Sequence, residues 1–318
     1  MGRVNVAGRK IMTCMEIRKV AEVIRSRPAL EGAGVKLVRA FGSPQMAYVM
    51  DPFLLLDDFG SRYPHEYMAG FPWHPHRGIE TITYLLKGEV HHEDSTGTKG
   101  VIRSGDLQWM SSGSGIFHSE MPRPFKGPAS TDDEVRGFQL WVNLRSRDKF
   151  SDPSYMNIAR ESVPVAELNN GIRVKLVSGV LNDVPGIGHL EGPAENVHND
   201  VHYMDIEMPE QSSMTYTVKE CYTAFAYIME GEGLFDSDGK SASRGSVVLY
   251  GRSGNAVRFS AGDKGMRILL ATGKPVRESI AWYGPIVMNT QQQLMQAFDE
   301  LDRGEFVKTK ATSYEYAQ

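Results

Sequence analysis

Two short runs carry side chains whose types and spacing suit metal chemistry. In Trp73-His74-Pro75-His76-Arg77-Gly78-Ile79-Glu80 two histidines stand two residues apart, and in Phe117-His118-Ser119-Glu120 a histidine and a glutamate do. Residues i and i+2 of a β-strand point to the same face, so each run presents two donors side by side. Two neutral imidazoles at that spacing make half a metal site. Glu80 shares the parity of His74 and His76 and, without a bulge, is expected to point inward with them. Gly113 and Gly115 let the backbone approach closely before the second pair. A lone strand histidine is more often a hydrogen-bonded core or surface residue. Two such pairs in one β unit, separated by a hairpin over 89–100 and the turn Ser104-Gly105-Asp106, point to metal binding instead. His91 and His92 are adjacent, face opposite ways and sit beside a Ser-Thr-Gly-Thr turn, which reads as a solvated hairpin end. His65, His189, His198 and His202 stand alone and are not expected to ligate.

The elements that must position these groups are short. Apolar runs at 35–40, 53–56, 79–86, 137–143 and 174–177 are separated by Gly, Asp, Ser or Pro, the pattern of strands rather than helices. Further runs follow at 201–208, 224–229, 246–250, 257–259 and 266–271. The halves repeat weakly. Tyr84-Leu85-Leu86-Lys87-Gly88-Glu89 matches Tyr227-Ile228-Met229-Glu230-Gly231-Glu232, and Arg103-Ser104-Gly105-Asp106 matches Arg244-Gly245-Ser246. This order predicts two copies of one β fold, with the charged, turn-rich stretch at 148–170 as linker. Two segments carry helical signals: a short mixed one at 16–25, and 290–303, where Leu294, Ala297, Phe298 and Leu301 recur at helical steps between a capping Thr290 and a terminating Gly304.

Composition narrows the function classes. The 318 residues suffice for two domains, and 41% hydrophobic with 23% charged residues is ordinary for a folded globular chain. A net charge of -4 gives no global positive field for nucleic acid. The 32 glycines fit many tight turns. The two cysteines, Cys14 and Cys221, form neither a disulfide framework nor a zinc motif and read as small buried or half-buried residues in a reducing compartment. No apolar run of export-signal length opens the chain, so a cytoplasmic location is expected, without a membrane or direct nucleic-acid partner.

The same residues carry a resemblance. HxH with a following Glu, a glycine-ended strand, then Gly115-Ile116-Phe117-His118, resembles the two-motif signature of the cupin superfamily. The pirin family is the closer match, through the run from Phe71 to Thr81, Gly105-Asp106-Leu107-Gln108-Trp109-Met110 and His118-Ser119-Glu120-Met121-Pro122. Leu55-Leu56-Asp57-Asp58-Phe59, the run from Gln139 to Leu144 and the run from Tyr283 to Asn289 extend it. The resemblance implies an all-β bicupin of two antiparallel double-stranded β-helix barrels with a short C-terminal helix. Residues 1–33 would be an extension, 34–147 a metal-binding barrel, 148–170 the linker, 171–306 a metal-free barrel with the helix, and 307–318 a tail.

It further implies one Fe(II) per chain held by His74, His76, His118 and Glu120, with Mn, Ni, Cu or Zn as other metals such donors accept. The general cupin pattern would use Glu80 as the carboxylate where the pirin pattern uses Glu120; Glu80 is then the runner-up, or an acceptor that orients a ligand. The implied reaction is quercetin 2,3-dioxygenase-type opening of a flavonol or similar enol with O2 and release of carbon monoxide, with Glu120 taking the hydroxyl proton. The alternative is an iron-dependent redox-sensing interaction protein, a transcriptional cofactor acting through a protein partner. A monomer is expected, since a bicupin contains its own barrel pair. Phe53, Met110 and Phe117 beside the motifs are expected to pack in the core rather than line a pocket.

Overall fold

Strict alternation is visible in the strand Ile116–Arg123, where Ile116, His118, Glu120 and Pro122 are buried and the residues between them are half-exposed. That period of two places an imidazole and a carboxylate inside a barrel without a bend in the strand. The computed structural model describes residues 15–125, 133–195 and 197–316.

The first barrel is a four-stranded sheet, ordered Phe71–His76, Ile116–Arg123, Glu89–Asp94, Lys99–Arg103, closed over the concave face of an eight-stranded sheet. The central strands of the larger sheet are Phe53–Ser61, Val135–Asn143, Ile79–Lys87 and Leu107–Ser111. The second barrel is built on a nine-stranded sheet around Val201–Met208, Thr223–Phe235, Ser246–Tyr250 and Ala256–Gly273. The runs expected at 257–259 and 266–271 are thus one strand of 18 residues. The two-copy, all-β organisation is observed.

Between the barrels lies a shared apolar core. Phe53, Leu56, Ile82, Phe138 and Leu140 from one side meet Tyr203, Phe225, Val247 and Leu269 from the other. At about 1.5–3 kcal/mol for each fully buried large apolar side chain, this interface outweighs any surface ion pair.

The described residues flanking the two barrels take part in their sheets. Val20–Arg25, within the mixed helical segment at 16–25, is a strand paired with Ser246–Tyr250 of the second barrel, and Arg27–Glu31 pairs with Val35–Gly42 of the first. The expected linker is also structured. Ser154–Ile158 is a strand of the first barrel beside Leu107–Ser111, and Val165–Glu167 pairs with Arg173–Ser178 of the second. Within the expected tail, Thr312–Tyr316 pairs with Ser154–Ile158. A seven-residue helix, Pro44–Met50, capped by Ser43, was not signalled by periodicity.

The C-terminal helix forms over Gln291–Asp302 with a Thr290–Gln293 capping box. It packs with the hairpin Ala281–Tyr283 and Ile286–Met288, and this module lies against the first barrel: Val287 packs with Ala47, Leu54 and Ile79. Cys221, expected to be buried or half-buried, is exposed at φ 63. Cys14 lies outside the described residues. Among the described residues no helix is long and apolar enough to cross a membrane.

Candidate metal centre

The HxH pair comes from Phe71–His76 and the HxE pair from its antiparallel neighbour, with His118 directly opposite His74. That register brings three imidazoles together. His74 Nε2 lies 3.1 Å from His76 Nε2 and 2.9 Å from His118 Nε2. Glu120 Oε2 stands 3.9 Å from His118 Nε2. Among the described residues, His74, His76 and His118 form the one group of three or more such donors clustered closely enough to hold an ion.

The tautomers follow from the other ring nitrogens. His74 Nδ1 donates to the Pro72 carbonyl at 2.8 Å and His76 Nδ1 to the Pro285 carbonyl at 3.3 Å. Their Nε2 lone pairs therefore face inward. Burial pushes His76 and His118 well below the usual histidine range, and the neighbouring imidazoles push the same way. Neutral rings with lone pairs converging at about 3 Å repel unless a cation lies between them. Cis ligands at metal–nitrogen bonds of about 2.1 Å stand roughly 3 Å apart, so the donor set fits a mononuclear transition metal with nitrogen and oxygen ligands.

Glu120 is oriented by neighbours on the facing sheet. Gln139 Nε2 donates to both of its oxygens, at 3.0 and 3.3 Å, and Thr83 Oγ1 donates at 3.3 Å. Trp141 Nε1 in turn donates to Gln139 Oε1 at 3.0 Å, and the indole packs edge-on against His76 at 5.1 Å. The run from Gln139 to Leu144 carries part of the family resemblance, but the role of Gln139 and Trp141 depends on strand pairing across the barrel.

Glu80 does not join the cluster. Gly78, at φ +78, lies in the turn between Phe71–His76 and Ile79–Lys87 of the other sheet, and this left-handed residue resets the parity. A Cβ there would collide with the Val287 carbonyl. Glu80 consequently points away from the imidazoles and accepts from the His198 backbone N–H at 3.1 Å. Burial raises its carboxyl to about 7. The inward-pointing expectation for Glu80 is thus corrected.

The same turn is strapped to the C-terminal module. Lys149 Nζ, fully buried, donates to the carbonyls of Gly78 and Val287 and to Asn143 Oδ1 at 2.7–2.9 Å. Burial lowers its pKa to about 7. Arg77, beside ligand candidate His76, is buried against Phe306 and pairs with Glu300 of the helix at 2.7 Å.

His92 departs from the solvated-end reading: it is buried, hydrogen-bonds Gln108 at 2.9 Å, and burial lowers it to about 4. His202 is buried against the Tyr216 hydroxyl at 2.6 Å. His189 sits in an exposed hairpin between Asn182 and Glu191.

His74 and His76 open onto a cleft of about 630 Å³ whose walls include Trp73, Trp141, Trp282 and Tyr283. That size suits a small organic ligand. Trp282 and Tyr283 reach this wall from more than 160 residues downstream; Tyr283 opens the run 283–289 that carries part of the family resemblance, but the place of both rings on this wall depends on the fold. Phe53, Met110 and Phe117 lie instead in apolar clusters, as expected from core packing.

Comparison with known proteins agrees with this architecture. The family model described as Pirin matches residues 34–142, and that of the Pirin C-terminal cupin domain matches 203–307. A pirin-like protein of Caulobacter vibrioides is 41% identical over 92% of this chain and 100% of its own length. A pirin-like protein of Solanum lycopersicum is 36% identical over 90% of this chain and 92% of its own. The crystal structure of a quercetin 2,3-dioxygenase from Acinetobacter baumannii superposes with a TM-score of 0.82 at 29% identity, covering 92% of this chain and 99% of that one.

Proposed function

Because the chain belongs to the pirin family, a bicupin family, we propose that its first barrel is a mononuclear iron dioxygenase centre that opens a flat enol substrate of the flavonol type with O2. One observation carries this reading: three imidazoles cluster within reach of one ion, and two of them, His74 and His76, line a cleft walled by indole and phenol rings. Support also comes from the activity named for the Acinetobacter baumannii protein. His74, His76, His118 and Glu120 would hold the metal. A bound iron supplies the one-electron chemistry through which dioxygen reacts with a closed-shell enolate.

The chain's own residues do the rest. Trp141, Trp282 and Tyr283 offer faces for a planar substrate, and the exposed Trp73 rims the entrance. Glu120, steadied by Gln139 and Thr83, would take the hydroxyl proton as the enol ionises. The apolar rings also exclude water from the reacting oxygen.

The test is anaerobic mixing of iron-loaded protein with quercetin, followed by admission of oxygen. Oxygen-dependent loss of flavonol absorbance that disappears in His118→Ala supports the proposal, and Glu120→Gln should lose turnover. An unchanged rate in Glu120→Gln with iron retained rejects its role as base. Iron-loaded protein that leaves quercetin intact overturns the proposed substrate.

A further inference from the structure

The repeated run Tyr-Leu-Leu-Lys-Gly-Glu and Tyr-Ile-Met-Glu-Gly-Glu has a use at the barrel interface. Each tyrosine crosses to the other barrel. Tyr84 donates to Asp205 Oδ2 at 2.7 Å, and Tyr227 donates to Asp58 Oδ2 at 3.0 Å. Each aspartate also faces an arginine of its own barrel. Asp205 binds Arg267 through two hydrogen bonds of 2.6 and 2.9 Å, and Asp58 lies 3.6 Å from Arg136. The result is a reciprocal pair of Tyr–Asp–Arg triads related by the internal repeat.

These arginines line a cleft of about 590 Å³ between the barrels, and none of the metal-ligand candidates is among its lining residues. Arg62, Lys87 and Arg136 come from the first barrel; Lys175, Arg244 and Arg267 come from the second. Lys87 is paired with Glu134, and Arg136 also with Glu230. Among the described residues Arg62, Lys175 and Arg244 form no ion pair; Arg244 acts on Asp58 through longer-range charge. Six cations therefore face two rim carboxylates and the two aspartates behind them, in a chain whose net charge is -4. Like charges held on opposing walls repel, and a multiply charged anion between them relieves that repulsion.

We propose that this inter-barrel cleft is a binding site for a multiply charged oxyanion of the di- or triphosphate class. The aspartates hold Arg136 and Arg267 in position before the anion arrives, and guanidinium forks match phosphate oxygens in pairs. Lys175 and Arg244 supply charge that no ion pair among the described residues engages. The site is independent of the metal centre and of the reaction proposed there.

The experiment is isothermal titration of the full chain with inorganic pyrophosphate and tripolyphosphate, at matched ionic strength against sulfate, before and after metal chelation. Saturable one-to-one binding is expected, tighter for tripolyphosphate and unchanged by chelation. Lys175→Glu with Arg244→Glu should weaken it about tenfold or more, while Lys240→Glu with Lys310→Glu, which changes net charge equally outside the cleft, should not. If the reversal variant fails to fold, Lys175→Gln with Arg244→Gln should still weaken binding severalfold. Absence of saturable binding, equality with sulfate, equal loss in the control variant or abolition by chelation would each overturn the proposal.

Discussion

The two barrels share a fold and differ in what fills them. In the second, the strand Ser213–Thr217 precedes Thr223–Phe235 as Phe71–His76 precedes Ile79–Lys87 in the first. It pairs with Ala256–Gly273, setting Met214 opposite Phe259 and Tyr216 opposite Val257, all within one apolar cluster. In the first, the corresponding pairing sets His74 opposite His118. The same strand geometry thus closes a hydrophobic interior in one copy and assembles donors in the other. The apolar copy also contributes to the polar one: the polypeptide leaving it supplies the Pro285 carbonyl that fixes His76 and the aromatic wall of Trp282 and Tyr283.

The largest test of that difference is His118→Ala. It should lower metal affinity by at least about 100-fold and abolish oxygen-dependent flavonol loss, read by elemental analysis and absorbance, without unfolding the second barrel. The reverse intrusion, Phe259→His, puts an unpaired imidazole into an apolar interior and should cost about 4 kcal/mol in denaturant unfolding. A neutral result would mean that the second interior tolerates donors and that the contrast is weaker than drawn.

Replacing Lys149 with Met leaves the Gly78 and Val287 carbonyls and Asn143 Oδ1 without their shared donor. It should cost about 3 kcal/mol and weaken metal binding, because the turn after His76 loses its strap. Thermal unfolding and metal titration would register both.

Glu80 gives a smaller, pH-dependent effect. Burial raises its folded-state pKa from the ordinary 4.5 to about 7, so the folded protein holds that proton more tightly than the unfolded chain. The stabilisation is fully present below about pH 4.5 and is lost as pH rises through about 7. Glu80→Gln should remove about 3 kcal/mol of that decline, measured as unfolding free energy against pH.

What was legible in the sequence follows from the range of each rule. His74 with His76, and His118 with Glu120, each share a strand, and period two puts each pair on one face. Glu80 lies across Gly78, where a left-handed turn and a change of sheet cancel that parity. Strand Val20–Arg25 has a mixed pattern because its partner, Ser246–Tyr250, supplies the pairing from the far end of the chain. Thr290 as cap, Gly304 as stop and the helical spacing of Leu294, Ala297, Phe298 and Leu301 make the helix legible locally. Its docking on the first barrel rests on Arg77 with Glu300 and on packing of Val287, which no local pattern contains.

The central claim is that the first barrel holds one transition-metal ion and the second holds none. Anomalous diffraction from crystals of the iron-loaded protein, collected at the iron edge, tests it directly. The account predicts one peak bonded to Nε2 of His74, His76 and His118 and no peak inside the second barrel. A metal peak among Met214, Tyr216 and Phe259, or no peak at the three imidazoles, would contradict it.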